Sequence, residues 1–90
     1  MDKVLLKSLK REFKIAYLFV FGNKFSEKDI DILIVSNDFE NISFTKRKML
    51  IQKTSLYLDP ICLTLKEFER LKCSQSSLWS TISTKGERIL

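Results

Sequence analysis

Two short segments near the start of the chain constrain its function most strongly. The first is an apolar run that ends in Gly22-Asn23, and the second, five residues later, is Asp29-Ile30-Asp31 at the start of another apolar run. Side chains alternate across a strand, so the two carboxylates of the second segment project from the same face. They repel each other, and a hard cation with oxygen ligands, such as Mg²⁺, relieves that repulsion. Because glycine lets backbone approach a ligand closely, the pattern predicts a site for metal and phosphate.

The length and composition of the chain predict a single domain over residues 1–90. Ninety residues with 44% hydrophobic content are enough for one modest core and too few for two. The net charge of +5, from 16 basic and 11 acidic residues, favours contact with phosphates or with an acidic partner. No apolar run approaches the roughly 20 residues of a membrane span, so we expect a cytoplasmic protein without membrane contact.

The absence of histidine and the spacing of the two cysteines exclude several kinds of chemistry. The chain contains no histidine, which rules out Ser-His and Cys-His nucleophilic triads and the usual zinc sites. Cys62 and Cys73 lack metal-ligand spacing, and we expect two unpaired thiols rather than a disulfide or a zinc site. Carboxylates are therefore the main candidates for chemistry.

Hydrophobic periodicity and turn residues predict the order of helices and strands. We expect helices over about 2–13, 42–54, 64–72 and 78–84, strands over 15–21, 29–35 and 55–63, loops or turns at 23–28, 36–38 and 74–77, and a tail or short edge strand at 87–90. Pro60 cannot donate to a strand ladder, which favours either an edge position for the third strand or an irregular start to it. Thr64 and Glu67 have the spacing of a capping box, which predicts a helix start, and Gly86 is expected to close the last helix.

This order indicates an α+β fold. We expect a small mixed sheet of about three strands, covered by helices chiefly on one side, with the opposite rim left for a ligand.

The order and its motifs resemble the minimal nucleotidyltransferase domain of the DNA polymerase beta superfamily over nearly the whole chain. The resemblance rests on an apolar strand ending in Phe21-Gly22, the Asp29 and Asp31 pair, Asp59 at the start of a third strand, a helix opened by residues 64–68, and the closing residues 86–90. It implies the polymerase beta-like nucleotidyltransferase fold.

The resemblance also implies site residues. Asp29 and Asp31 would bind divalent metal, and Asp59 would complete the catalytic set as a third carboxylate. Gly22 and Asn23 take the positions of a Gly-Ser pair that holds a nucleotide triphosphate. Asparagine here offers an amide donor and no hydroxyl.

The loop before Asp29 is shorter than is typical of the family and lacks its usual arginine and second glycine. Lys24 and Lys28 are the nearby cations for phosphate, and they act as point charges without bidentate geometry.

The implied activity is transfer of a nucleoside monophosphate from a nucleoside triphosphate, ATP by expectation, to a hydroxyl on a macromolecular partner, with Mg²⁺ or Mn²⁺ as cofactor. Free-standing domains of this family often act as antitoxins beside a HEPN-type ribonuclease toxin, so such a toxin, or a second copy of the chain, is the implied partner. The alternative is a catalytically degenerate domain that works only by binding a protein. A third possibility is the same fold with no metal site.

Several residues have a plain structural interpretation that stays open. Asp59 precedes Pro60 and is equally typical of a turn or strand start. The basic run 46–48 is more typical of a solvated helix face than of a nucleic-acid surface, because no aromatic residues are interleaved with it. Trp79 suits a core, although an apolar patch around Trp79 and Ile82 is where we would expect a partner to bind.

Overall fold

A four-stranded mixed sheet organises the part of the chain that the structure describes. The structure is a computed structural model, and it describes residues 3–21 and 30–90. The elements, in chain order, are α1 (Lys3–Glu12), β1 (Tyr17–Phe21), β2 (Ile30–Val35), a 3₁₀ turn (Asn37–Phe39), α2 (Phe44–Gln52), β3 (Leu58–Leu63), α3 (Leu65–Cys73), α4 (Ser77–Lys85) and β4 (Glu87–Arg88). Among these helices none has the length and apolar character needed to cross a bilayer.

The strands lie in the order β3-β2-β1-β4. β1 pairs antiparallel with both β2 and β4, whereas β2 and β3 are parallel. A parallel pair requires a crossover, and α2 supplies it. β3 is an edge strand, which is one of the two alternatives predicted from Pro60. The sheet has one strand more than the three predicted, because the closing residues do form the short strand β4.

Helices cover both faces of the sheet, so the expectation of cover chiefly on one side is wrong. Residues 32–35 of β2 are all fully buried, and a strand that is apolar on both faces needs a layer on each. One core lies under α1 and α2, and its buried members are Leu9, Leu18, Val20, Ile32, Ile34, Phe39, Ile51, Leu58 and Cys62. The other core lies under α3 and α4, and its buried members are Phe21, Leu33, Val35, Phe68 and Ile82.

Local sequence signals set the helix boundaries. Thr64 caps α3, and the reciprocal bonds of a capping box with Glu67 are both present. Ser43 and Ser76 cap α2 and α4 through their hydroxyls. Gly86 ends α4 as predicted, although its φ of −75° is not the left-handed conformation usual for a glycine at a helix end.

Ile82 lies in the core and Trp79, which is half-buried, packs against it, so Ile82 is not available for the partner contact that we expected around these two residues. Ile82 is buried, and the Trp79 ring meets the rings of Phe19 and Phe68 edge to face at 6.1 and 5.5 Å between centroids. Such geometry is favourable for aromatic pairs and fixes α4 on the sheet.

Arg47 is buried as well, so the basic run of α2 is not wholly a solvated face. The residue is 5% exposed, and its guanidinium donates to the backbone oxygens of Ile42 (2.8 Å) and Cys62 (3.1 Å) and to Glu67 Oε1 (2.7 Å). These contacts join the start of α2, the end of β3 and the first turn of α3. A buried arginine with satisfied donors acts here as a structural link.

Candidate active site

Asp31 and Asp59 occupy matching positions on neighbouring parallel strands. Each is the second residue of its strand, and they are register partners across β2 and β3. Register partners in a parallel pair point to the same face, and the strands lie roughly 4.8 Å apart. The structure therefore brings together two of the three carboxylates that the sequence analysis selected.

The row of register partners that contains Asp31 and Asp59 continues onto β1. Phe21, the last residue of β1, is the register partner of Asp31 on the other side. The end of β1, Asp31 and Asp59 thus form one row across three strands. The chain leaves β1 at this row.

Asp31 and Asp59 lie at one end of a sheet face that is otherwise apolar. Behind them the next two rows on the same face are Phe19-Leu33-Ile61 and Tyr17-Val35-Leu63, which pack under α3 and α4. At the row of Asp31 and Asp59 the surface becomes polar: Asp31 is half-buried and the Asp59 side chain is 56% exposed. The period-two pattern of β2 and β3 thus places carboxylates at the accessible end of a sheet face.

Five of the predicted site residues lie outside the described residues: Gly22, Asn23, Lys24, Lys28 and Asp29. Within the described ranges, no group of three carboxylate, thiol or imidazole side chains is placed to hold a metal ion. The described part of the site is therefore the pair Asp31 and Asp59.

Lys48 is a site residue that the sequence analysis missed. Its Nζ lies 3.2 Å from Oδ1 of Asp59, and both side chains are about half exposed. Asp59 lies inside β3 rather than in a turn, and α2, the crossover between β2 and β3, runs close enough to this edge strand for Lys48 to reach it. The one available signal was that crossover, since a helix joining parallel strands packs beside them.

The buried thiol near this region is unsuited to nucleophilic chemistry. Burial raises the pKa of Cys62 to about 12, although the nearby charge of Arg47 acts in the opposite direction. A thiol with such a pKa is protonated at neutral pH and is a poor nucleophile and metal ligand. Cys62 and Cys73 are both unpaired, as predicted.

No protein-family model and no curated protein matches this sequence. Solved structures do resemble its fold. A protein from Sulfolobus solfataricus that is assigned as a nucleotidyltransferase is 21% identical with a TM-score of 0.58, over 76% of this chain and 68% of that chain.

Two toxin–antitoxin structures are also similar. The complex of a tri-AMPylated Shewanella oneidensis HEPN toxin with an MNT antitoxin matches with a TM-score of 0.61 and 18% identity, over 100% of this chain and 72% of that chain. A toxin–antitoxin structure with AMP-PNP matches with a TM-score of 0.62 and 17% identity, over 100% of this chain and 73% of that chain. These similarities confirm the α+β nucleotidyltransferase fold and the resemblance to a minimal nucleotidyltransferase domain.

Proposed function

We propose that this protein is a metal-dependent nucleotidyltransferase that transfers a nucleoside monophosphate from a nucleoside triphosphate, with ATP the expected donor, to a hydroxyl on a macromolecular partner. The observation that carries the proposal is the alignment of Asp31 with Asp59 at the accessible end of the sheet, in a nucleotidyltransferase fold. In this proposal Asp29, two residues before Asp31, completes the set of acids. Gly22, Asn23, Lys24 and Lys28 contact the triphosphate.

The donor set suits a hard divalent cation, since carboxylate oxygens are the ligands that Mg²⁺ and Mn²⁺ accept readily. Asp31 and Asp59, with Asp29, would hold the ion. When bound, it supplies positive charge that offsets the charge of the triphosphate and of the leaving pyrophosphate.

The chain's own contribution is to position the reactants and to accept a proton. Asp59, on the outer strand, orients the acceptor hydroxyl and takes its proton as the hydroxyl oxygen bonds to the α-phosphorus. The bond between that phosphorus and the oxygen bridging to the β-phosphate breaks, and pyrophosphate leaves. Most of the rate in such a transfer comes from orientation and electrostatics, which the two aligned strands supply by holding the acids rigidly.

A HEPN-type toxin is the partner we propose, with this protein as its antitoxin in the cytoplasm. Support comes from the similar structures of an MNT antitoxin with a HEPN toxin and of a toxin–antitoxin with AMP-PNP. A second copy of the chain is the other candidate acceptor.

The alternative function, binding and neutralising a partner without catalysis, is favoured by the Lys48–Asp59 ion pair. That pair engages one of the proposed metal ligands. The asparagine at position 23, where the family has serine, points the same way.

Labelling with ATP that carries radioactive α-phosphate tests the two functions. We expect the label to reach the protein encoded beside this one, in the presence of Mg²⁺. The double variant Asp31→Asn, Asp59→Asn should lower labelling at least about 100-fold, because it removes the charge that holds the metal. Glu69→Gln, which removes an exposed carboxylate of α3, is the matched control and should label normally.

If the double variant still binds the partner and neither it nor the wild type ever labels it, the binding function replaces the enzymatic one. Calorimetric titration with Mn²⁺ gives a second readout, in which the wild type should bind and the double variant should not.

A further inference from the structure

Two consecutive basic residues of α2 each pair with a carboxylate, but in different settings. Arg47 is buried and reaches Glu67 at 2.7 Å, with side chains 6% and 25% exposed. Lys48 reaches Asp59 at 3.2 Å, with side chains 49% and 56% exposed. The first pair lies within the fold and the second lies in solvent at the proposed metal site.

The difference in exposure and in additional hydrogen bonds determines which of the two ion pairs can dissociate. Arg47 is held by two further hydrogen bonds to backbone oxygens. Within the described residues, the structure gives Lys48 one ion pair, and its ammonium is a single charge at the end of a flexible stem. An exposed lysine–carboxylate pair contributes little free energy, so a competing cation can displace the lysine easily.

The carboxylate that Lys48 engages is one that metal binding requires. Asp59 lies beside Asp31 on the adjacent strand, and a cation shared by the two acids needs an oxygen from each. The ammonium of Lys48 and a divalent cation are both attracted to Asp59, and the divalent ion carries twice the charge.

We propose that Lys48 is a built-in competitor of the metal ion: its ammonium neutralises Asp59 in the metal-free protein and must leave when the cation binds. This inference rests on the proposed function. Lys48 would then act through Asp59 and lower the affinity of the site for metal. This role would account for the pairing of an exposed lysine with a predicted metal ligand.

Metal binding to the purified full chain tests the inference without any assay of activity. Mn²⁺ alone is titrated calorimetrically into the wild type and into Lys48→Met. We expect about two- to fivefold tighter binding by Lys48→Met, which is the range expected for removal of one exposed ion pair. Lys46→Met is the matched control, because it removes the same charge from an exposed position of the same helix and should change the affinity less.

One further measurement makes the result specific to Asp59, and another tests whether the effect is electrostatic. In an Asp59→Asn background, Lys48→Met should bring no gain in affinity. Raising the salt concentration should narrow the difference between Lys48→Met and the wild type, because salt screens an exposed pair. The salt comparison needs no change at Asp59.

The inference is overturned if Lys48→Met binds Mn²⁺ no more tightly than Lys46→Met, or more weakly than the wild type. In either case a wild type that binds the metal leaves the proposed function standing. If neither the wild type nor Lys48→Met binds Mn²⁺, while circular dichroism shows both to be folded, the metal-dependent function itself fails together with the inference.

Discussion

The guanidinium of Arg47 lies 2.7 Å from Oε1 of Glu67, and the same carboxylate oxygen accepts a hydrogen bond of 2.8 Å from the backbone nitrogen of Thr64. One oxygen therefore closes the capping box of α3 and neutralises the buried guanidinium of α2. The crossover helix and the helix that follows β3 are joined at this point. The stability of the edge of the sheet that carries Asp59 should depend on it.

Glu67→Gln should lower the free energy of unfolding by about 1–3 kcal/mol. The glutamine side chain can still bond to the backbone of Thr64, but it leaves the buried Arg47 without a counter-charge. Urea denaturation measures the change. Glu69→Gln is the control, since Glu69 pairs with Lys72 on the surface of the same helix, and it should shift stability by no more than about 0.5 kcal/mol. Equal shifts in the two variants would contradict the structural role of the buried pair.

The same carboxylate predicts a pH dependence of stability. Burial by itself raises the pKa of Glu67, but hydrogen bonds from the Thr64 backbone and from Arg47 outweigh it and hold the pKa below its ordinary value of 4.5. The folded protein thus binds this proton less tightly than the unfolded chain does. The stabilisation is complete above pH 4.5 and is lost as the pH falls through the lowered pKa.

Denaturation midpoints of the wild type and Glu67→Gln, measured from neutral pH downwards, check this dependence. The difference between the two proteins should be constant above pH 4.5 and should shrink below it. A gap that stays the same throughout the acid range would mean that the charge of Glu67 is not what stabilises the fold.

The two thiols should react at very different rates with an aromatic disulfide reagent at neutral pH. Cys73 is exposed, whereas Cys62 is buried and burial raises its pKa to about 12. We expect one thiol per chain, that of Cys73, to react rapidly. The thiolate is the reactive form, and the raised pKa of Cys62 keeps that thiol protonated. Cys73→Ser should abolish the rapid phase, and Cys62→Ser should preserve it. A rapid phase that survives in Cys73→Ser would show that Cys62 is accessible.

Gly86→Ala should destabilise the protein by about 1–3 kcal/mol, the usual cost of overpacking. The backbone of Gly86 is compatible with any residue, but a Cβ there would lie 2.4 Å from the carbonyl oxygen of Ile82. That oxygen belongs to backbone and cannot turn aside. Thermal unfolding measures the effect, with Ser83→Ala on the exposed side of α4 as the control. An unchanged midpoint for Gly86→Ala would show that α4 and β4 shift at little cost.

Much of the fold could be predicted from local patterns. The apolar runs of β1 and β2, the Thr64–Glu67 capping box and the helix end at Gly86 are all visible along the chain, because each depends on residues within a few positions of one another. Pro60 narrowed the place of β3 to an edge position or an irregular start, because proline has no backbone N–H to donate to a neighbouring strand. The period of two in β2 predicts that Asp29 and Asp31 share a face, and of these two residues the structure describes Asp31.

Contacts between distant segments could not be predicted in this way. The burial of Arg47, the cover on both faces of the sheet, the place of Ile82 in the core and the reach of Lys48 to Asp59 depend on how α2, α3 and α4 cross the strands. The local sequence around a charged helical side chain does not show whether that side chain contacts water, a carboxylate or the core. Which of these it meets depends on packing between elements, and that is why Lys48 entered the site only when the position of α2 beside β3 was known.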